Sequence, residues 1–169
     1  MRIVNITARI GDARPEDVFD RICDFERYPE LTDAVRSVIV VARDDGSVAS
    51  EWEVRFRNGI LRWSETDRID AARRTIDFEQ LDGDFESFAG RWSVHARDGG
   101  CTVGFEAAFD LGMPTLAEML DPIAESALRE NVARILTGLT GRPVELIVED
   151  ESAAADPTAT RASAGAEAL

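Results

Sequence analysis

The stretch VASEWEVRFRNGILRWSETDRI, residues 48–69, carries the clearest structural pattern in this chain. Its first part alternates, with Trp52 and Phe56 on one side and charged residues on the other, which is typical of a strand with one buried and one solvated face. Asn58-Gly59 then interrupts the alternation, and this dipeptide is a strong signal for a tight turn between antiparallel strands. The stretch therefore predicts a β-hairpin.

The same period of two continues on both sides of this hairpin. From Ser37 it runs for about seventy residues through six strand-like segments, most of which are separated by Asn-Gly or Asp-Gly dipeptides. A further segment, Arg2 to Ile10, precedes them and ends at Gly11. Together these patterns predict a curved antiparallel sheet of about seven strands.

Other regions have helical spacing. Pro15 suits the first position of a helix with an acidic first turn, and DFERYPEL, residues 24–31, predicts a second short helix that its proline breaks. Asp121-Pro122 and Gly141 mark the ends of a long helix. One face of this helix is apolar apart from an asparagine and comprises Ala124, Ala127, Leu128, Asn131, Ile135 and Leu139.

This order of elements predicts an α+β fold in which a bent sheet wraps a C-terminal helix. A concave sheet and one helix cannot fill all the space between them, so we expect an internal cavity suited to apolar small molecules. Gly90, between the large residues Phe88 and Trp92, predicts a bulge or a space kept open. The domain is expected to span residues 1–148, and the Ala-rich, acidic residues 149–169 are expected to form a flexible tail.

Composition excludes several classes of function. The chain has 169 residues and a net charge of −14, so we expect one domain that nucleic acid and anionic membranes repel. Two cysteines and one histidine are too few for a zinc site without carboxylates, and no metal or other cofactor is expected. The chain shows neither a signal sequence nor an apolar run of about 18 residues, which predicts a cytoplasmic protein. All nineteen basic residues are arginine, a bias typical of GC-rich genes such as those of actinobacteria.

Three stretches resemble the START-like helix-grip superfamily and, within it, the polyketide cyclase and aromatase family of the tetracenomycin type. DFERYPEL is similar to the family's acidic and aromatic-Pro-Glu-Leu signature after the first helix. WSETDRID, residues 63–70, and TIDFEQLDGDFESFAGRW, residues 75–92, resemble two of its strand segments. NVARI, residues 131–135, is similar to an Asn-x-x-Arg-Ile element of its last helix. The resemblance covers residues 3–140.

The resemblance implies an aromatase/cyclase that directs the aldol ring closure and dehydration of a poly-β-ketone. The chain of this substrate would be held on an acyl carrier protein and supplied by a minimal polyketide synthase. Since the substrate brings its own acidic methylenes and electrophilic ketones, the protein has mainly to pair two carbons and exclude water. Coenzyme Q-binding proteins share the fold, so a non-catalytic carrier of a quinone or lipid is the alternative.

Two residues are candidates for catalysis. Arg68 matches the family's cavity arginine, which implies that it binds an enolate or polarises a ketone. The alternation around Arg68 also permits the alternative that it is exposed and pairs with Asp67, Asp70 or Glu79. Asn131 is either the second catalytic residue or a hydrogen-bonded core residue. The residues expected to contact substrate, or to fill the core, are Tyr28, Trp52, Phe56, Phe78, Phe88 and Trp92.

Two further expectations concern the entrance of the cavity. The Tyr28 hydroxyl lies beside a helix break, where it is expected to face the entrance and donate to the substrate. Acyl carrier proteins are acidic, as is this chain, so docking is expected to need a local arginine patch. The candidates for this patch are Arg27, Arg36, Arg129 and Arg134.

Overall fold

The computed structural model describes residues 1–148, and the predicted tail, residues 149–169, lies outside the described residues. The strands are β1 (Arg2–Gly11), β2 (Val35–Asp44), β3 (Ser47–Phe56), β4 (Gly59–Asp70), β5 (Thr75–Gly83), β6 (Ser87–Arg97), β7 (Gly100–Asp110) and β8 (Val144–Ile147). The α-helices are α1 (Pro15–Cys23), α2 (Tyr28–Leu31) and α3 (Ala117–Thr140), and short 3₁₀ turns occupy Phe25–Arg27 and Pro114–Leu116.

The strands form one antiparallel sheet in the order β2-β3-β4-β5-β6-β7-β1-β8. The run from β2 to β7 is the predicted meander, and β1 pairs with β7 along its whole length. This architecture confirms the predicted α+β helix-grip fold. The prediction of about seven strands misses β8, which pairs with residues 7–10 of β1.

The predicted hairpin is formed by β3 and β4, with its turn one residue earlier than the sequence pattern suggests. Arg57 and Asn58 form the turn, and Arg57 has a left-handed φ of 56°. Gly59 is already part of β4, where it pairs with Phe56. This register places Trp52 directly opposite Trp63 on the inner face, and their rings stack.

The long helix α3 begins before the predicted start at Asp121 and ends where predicted. Because the 3₁₀ turn leads directly into Ala117, Pro122 lies inside the helix rather than at its first position. At the other end Gly141 adopts a φ of 65° and its N–H donates to the Thr137 oxygen, which is an αL cap.

The core lies between the concave face of the sheet and this helix. Leu136 and Leu139 of α3 are fully buried against the sheet. Next to them, Gly138 lies so close to α2 that an added Cβ would clash with the Leu31 carbonyl oxygen. The C-terminal half of α3 is thereby held against α2 and the sheet, and its middle part covers the space that the sheet encloses.

Candidate functional site

A cavity lies between the concave face of the sheet and α3. Its volume of about 80 Å³ exceeds the roughly 10–15 Å³ that one water molecule needs and is below the about 300–1,000 Å³ of typical ligand pockets. Side chains of β2 to β7, of α2 and α3, and of the short segments before α2 and before β6 line it. A guest larger than this volume requires the wall side chains to move.

The wall of the cavity is largely aromatic, and all six predicted aromatic residues belong to it. Trp52 and Trp63 stack with their ring centroids 6.2 Å apart, and Phe78 lies 5.1 Å from Phe88. The structure thus brings the predicted set together, while its contact with a substrate stays a prediction. The predicted members are Tyr28, Trp52, Phe56, Phe78, Phe88 and Trp92, and those the sequence analysis did not name are Phe25, Trp63, Phe85 and Phe105.

Gly90 lies beneath this wall in a regular part of the sheet. It pairs with Phe78 on β5 and with Ala107 on β7 without a register shift, so the predicted bulge is absent. A Cβ at this position would clash with the Phe78 ring and the Glu106 carbonyl oxygen. The space above Gly90 is therefore filled by Phe78 and is not kept open.

Tyr28 contributes its ring to the cavity, but its hydroxyl has a partner within the protein. The side chain is buried, and the hydroxyl donates to the backbone oxygen of Ile22 at 2.5 Å. The ring contacts Trp52 edge to face at 5.3 Å. The expected role of the hydroxyl as a donor at the entrance is not supported by this geometry.

Two carboxyl groups, those of Glu65 and Asp67, face into the apolar cavity. They lie two residues apart on β4 and are therefore on the same face of the strand. Their residues are only 6% and 2% exposed. Each carboxyl group affects the pKa of the other, so the two titrate as a pair.

Neighbouring side chains hold this pair in place. The Trp63 indole N–H donates to Glu65 Oε2 at 2.6 Å. The Ser50 hydroxyl donates to Asp67 Oδ2 at 3.4 Å, and the Trp52 indole N–H donates to Ser50 Oγ at 2.8 Å. The polar network thus runs across β3 and β4 beneath the stacked tryptophan rings.

Burial controls the protonation of the pair. It raises the pKa of Asp67 to about 7, although hydrogen bonds from Glu65 and Ser50 favour the charged form. It also raises the pKa of Glu65 well above the ordinary value, and the Asp67 charge adds to this rise. The pair therefore keeps a proton to a higher pH than free carboxyl groups do. When one group is protonated and the other is charged, one can donate a proton while the other accepts one.

The predicted position of Arg68 inside the cavity is wrong. Because side chains alternate along β4, Arg68 points away from the face that Glu65 and Asp67 occupy, and it is exposed. In register it lies opposite Asp77 of β5, and Asp77 in turn pairs with Arg91 of β6 at 2.9 Å. Arg68 thus belongs to a row of alternating charges on the outer face of the sheet.

Asn131 lines the cavity from α3. It is buried, and its Nδ2 donates to the backbone oxygen of Arg55 at 2.8 Å, which ties α3 to the end of β3. An ion pair between Arg57 and Glu130 at 3.6 Å adds a second link. The hydrogen bond from Asn131 to the Arg55 oxygen agrees with the interpretation of Asn131 as a hydrogen-bonded core residue. The catalytic role of Asn131 stays a prediction.

Three of the four arginines considered for a docking patch have carboxylate partners. Arg36, Arg129 and Arg134 pair with acidic side chains at 3.5, 3.0 and 2.6 Å respectively. These pairs neutralise much of the local positive charge. The geometry therefore does not bring the candidates together as an unpaired basic surface.

The sequence pattern did not identify Glu65 and Asp67 as candidate site residues. Their types are typical of a solvated strand face, and Asp67 was considered only as a partner of Arg68. The available signal was their parity, since they alternate in step with Leu61, Trp63 and Ile69. A strand whose apolar side continues into two carboxyls predicts that these carboxyls are buried.

Neither a metal-binding cluster nor a membrane-spanning helix is found among residues 1–148. No group of three or more His, Cys, Asp or Glu side chains in this part of the chain has a geometry that fits a metal ion. In the same residues, no helix is long and apolar enough to cross a membrane.

Comparison with solved structures finds similar folds across most of the chain. The protein TTHA0849 from Thermus thermophilus has a TM-score of 0.74 at 27% identity, over 82% of this chain and 94% of that chain. The ZhuI aromatase/cyclase from Streptomyces sp. R1128 has a TM-score of 0.70 at 15% identity, over 83% of this chain and 93% of that chain. A START superfamily protein from Mycobacterium smegmatis has a TM-score of 0.70 at 21% identity, over 80% of this chain and 94% of that chain.

Comparison at the level of sequence gives a family. No curated protein matches the chain significantly. The family model described as "Polyketide cyclase / dehydrase and lipid transport" matches residues 11–136. This range includes Glu65, Asp67 and the side chains that hydrogen-bond to them. This chain therefore belongs to the polyketide cyclase/dehydrase and lipid transport family.

Proposed function

We propose that this protein is an aromatase/cyclase, which directs the aldol ring closure and dehydration of a poly-β-ketone bound to an acyl carrier protein. The single observation that carries the proposal is the pair of buried carboxyl groups, Glu65 and Asp67, inside an aromatic cavity. Ring closure and dehydration each need one base and one acid at the same place. Two neighbouring carboxyl groups, one protonated and one charged, supply both.

In the ring closure, the Asp67 carboxylate accepts a proton from a methylene group that lies between two carbonyls. The resulting enolate carbon attacks a ketone carbon of the same chain, and a carbon–carbon bond forms. Glu65 donates its proton to the alkoxide that develops on the ketone oxygen. After this step Asp67 is neutral and Glu65 is charged.

In the dehydration, the two residues exchange roles. The Glu65 carboxylate removes the proton next to the new alcohol, and Asp67 protonates the leaving hydroxyl, which departs as water. The double bond forms and both residues return to their initial protonation states. The complete sequence loses one water molecule and needs no oxidant, reductant or metal.

The aromatic wall contributes position and exclusion of water. Flat rings from Trp52, Trp63 and Phe88 present apolar surfaces to a planar chain, which holds the two reacting carbons close together. Because the cavity holds only about 80 Å³, it takes the reacting segment, and the rest of the chain extends toward the carrier protein. The minimal polyketide synthase supplies the substrate.

A non-catalytic carrier of a quinone or lipid is the second candidate. The apolar wall and the family description, which includes lipid transport, favour it. The carboxyl pair argues against it, since burying two carboxyl groups costs several kcal/mol and contributes nothing to holding an inert lipid.

Product analysis of a reconstituted minimal polyketide synthase tests the proposal. The synthase alone yields a mixture of shunt products, and addition of this protein is expected to replace the mixture by one aromatised product. A product profile that does not change over several chain lengths would contradict the proposal and favour the carrier.

A further inference from the structure

The charged groups of the cavity wall are all acidic. Its ionisable side chains are Glu65, Asp67 and Tyr28, and within residues 1–148 no arginine or histidine contributes to the lining. Arg68, which resemblance placed inside, is on the outer face. No side chain of the wall therefore offers a positive charge to a ligand.

The hydrogen-bond donors of the wall are also largely engaged. The Trp52 and Trp63 indoles donate to Ser50 and Glu65, as described above. The Tyr28 hydroxyl and the Asn131 amide donate to backbone oxygens. An anionic ligand would consequently lose its hydration without gaining an equivalent set of donors.

The carboxyl pair adds electrostatic repulsion. A carboxylate beside Asp67 would place two negative charges together in an apolar space, where like charges disfavour one another strongly. A neutral hydroxyl has no such cost. It donates to the Asp67 carboxylate, and its oxygen accepts the proton of neutral Glu65.

We propose that the cavity selects neutral ligands that donate a hydrogen bond, such as enols and phenols, and excludes carboxylates. This inference rests on the proposed function in one respect, because the enol forms of a β-diketone and the phenol of an aromatised ring are the groups that ring closure consumes and produces. It assigns to Glu65 and Asp67 the choice of ligand in addition to acid–base chemistry.

Binding of three matched bicyclic probes tests this inference without any carrier protein or synthase. The probes are 2-naphthol, 2-naphthoate and 2-methylnaphthalene, which share one ring system and differ in the attached group. All three tryptophans of the chain line the cavity. Their indole N–H signals in ¹H–¹⁵N NMR spectra therefore report occupancy of this site, and titration at neutral pH gives a Kd for each probe.

We expect 2-naphthol to bind at least about tenfold more tightly than 2-naphthoate, with 2-methylnaphthalene between them. In the double variant Glu65→Gln/Asp67→Asn the difference between naphthol and naphthoate is expected to fall below about threefold. The exposed Asp77→Asn, on the outer face of the neighbouring strand, is the matched control and keeps the full difference.

Equal binding of 2-naphthol and 2-naphthoate by the unaltered protein would overturn the inference, and so would tighter binding of 2-naphthoate or failure of every probe to bind. The comparison does not depend on the double variant, so loss of its fold would not affect the result. Since the titration requires no turnover, a protein that fails as a cyclase can still pass this test, and the two proposals fail separately.

Discussion

At the scale of single residues, the burial of Glu65 and Asp67 links their protonation to the stability of the fold. Their pKa values are higher in the folded chain than in the unfolded one, so the folded state binds more protons between about pH 4 and pH 7. The free energy of unfolding therefore decreases as the pH rises through this window. The rise in the pKa of Asp67 from 3.8 to about 7 corresponds to a decrease on the order of 4 kcal/mol, given roughly 1.4 kcal/mol for each pKa unit.

Urea unfolding at several pH values between 5 and 8 measures this effect. Asp67→Asn is expected to flatten the decrease, because the amide has no proton to lose. Asp77→Asn should keep it, since the Arg91 hydrogen bond lowers the pKa of Asp77 and confines its influence to more acidic pH. An unchanged slope in Asp67→Asn would contradict the assignment of a buried carboxyl group whose pKa is raised.

The residue scale also shows where sequence reasoning works and where it fails. Alternation correctly places Trp52, Phe88 and Trp92 on the inner face, because large apolar side chains leave water wherever a sheet offers a dry side. It also places Glu65 and Asp67 on the same face as Trp63, although acidic residues are typical of a solvated face. The placement of Arg68 rested on resemblance alone, and the alternation of β4 decides against it.

At the scale of elements, the contact between α3 and α2 gives a prediction for Gly138. A methyl group there would meet the Leu31 backbone, which cannot yield as a flexible side chain does. Gly138→Ala is therefore expected to destabilise the protein by about 1–3 kcal/mol, despite the roughly 1 kcal/mol that alanine gains over glycine in a helix. Chemical denaturation measures the change.

The neighbouring Thr137→Ala is the control for helix propensity, because Thr137 is exposed and lies on the same turn. Its expected effect is close to zero or slightly stabilising. If Gly138→Ala instead stabilised the protein as much as this control, α2 would have to move freely, and the packing described here would be wrong.

Elements differ in how far sequence predicts them. Strands bounded by Asn-Gly and Asp-Gly are long and periodic, and each predicted strand is present. β8 has four residues and no such turn signal, and it forms only because β1 offers an unpaired edge. The early start of α3 was not predicted either, because a 3₁₀ turn leads into the helix ahead of Pro122.

At the scale of the whole molecule, net charge governs the approach of a carrier protein. The chain carries −14 and its arginine candidates for docking are largely paired, so an acidic carrier is repelled at long range. Salt screens this repulsion, with a Debye length that falls from about 30 Å at 0.01 M to about 10 Å at 0.1 M. The cyclisation rate at low concentrations of carrier-bound substrate is therefore expected to rise with salt.

Rates with a substrate analogue that lacks the carrier protein provide the control, because a small neutral molecule experiences little of this field. These rates should not change over the same range of salt. A carrier-dependent rate that falls as salt is added would contradict the expectation and would point to attractive docking through arginine.

The whole fold was accessible from sequence because it depends on the order and period of the elements, which many positions report together. The chemistry of the cavity depends on two side chains and on the direction in which β4 presents them. In a single sequence, few other positions report the identity or the direction of these two side chains. The shape of the site was therefore predicted better than its reactive groups.

The central claim is that Glu65 and Asp67, and not Arg68, perform the chemistry. The most direct test compares the rate of aromatised product formation by Asp67→Asn, Arg68→Ala and the unaltered protein on the same carrier-bound chain, with circular dichroism to verify folding. We predict a loss of roughly 100-fold or more for Asp67→Asn and less than about threefold for Arg68→Ala. A folded Asp67→Asn that retains full activity, or an inactive but folded Arg68→Ala, would contradict the claim.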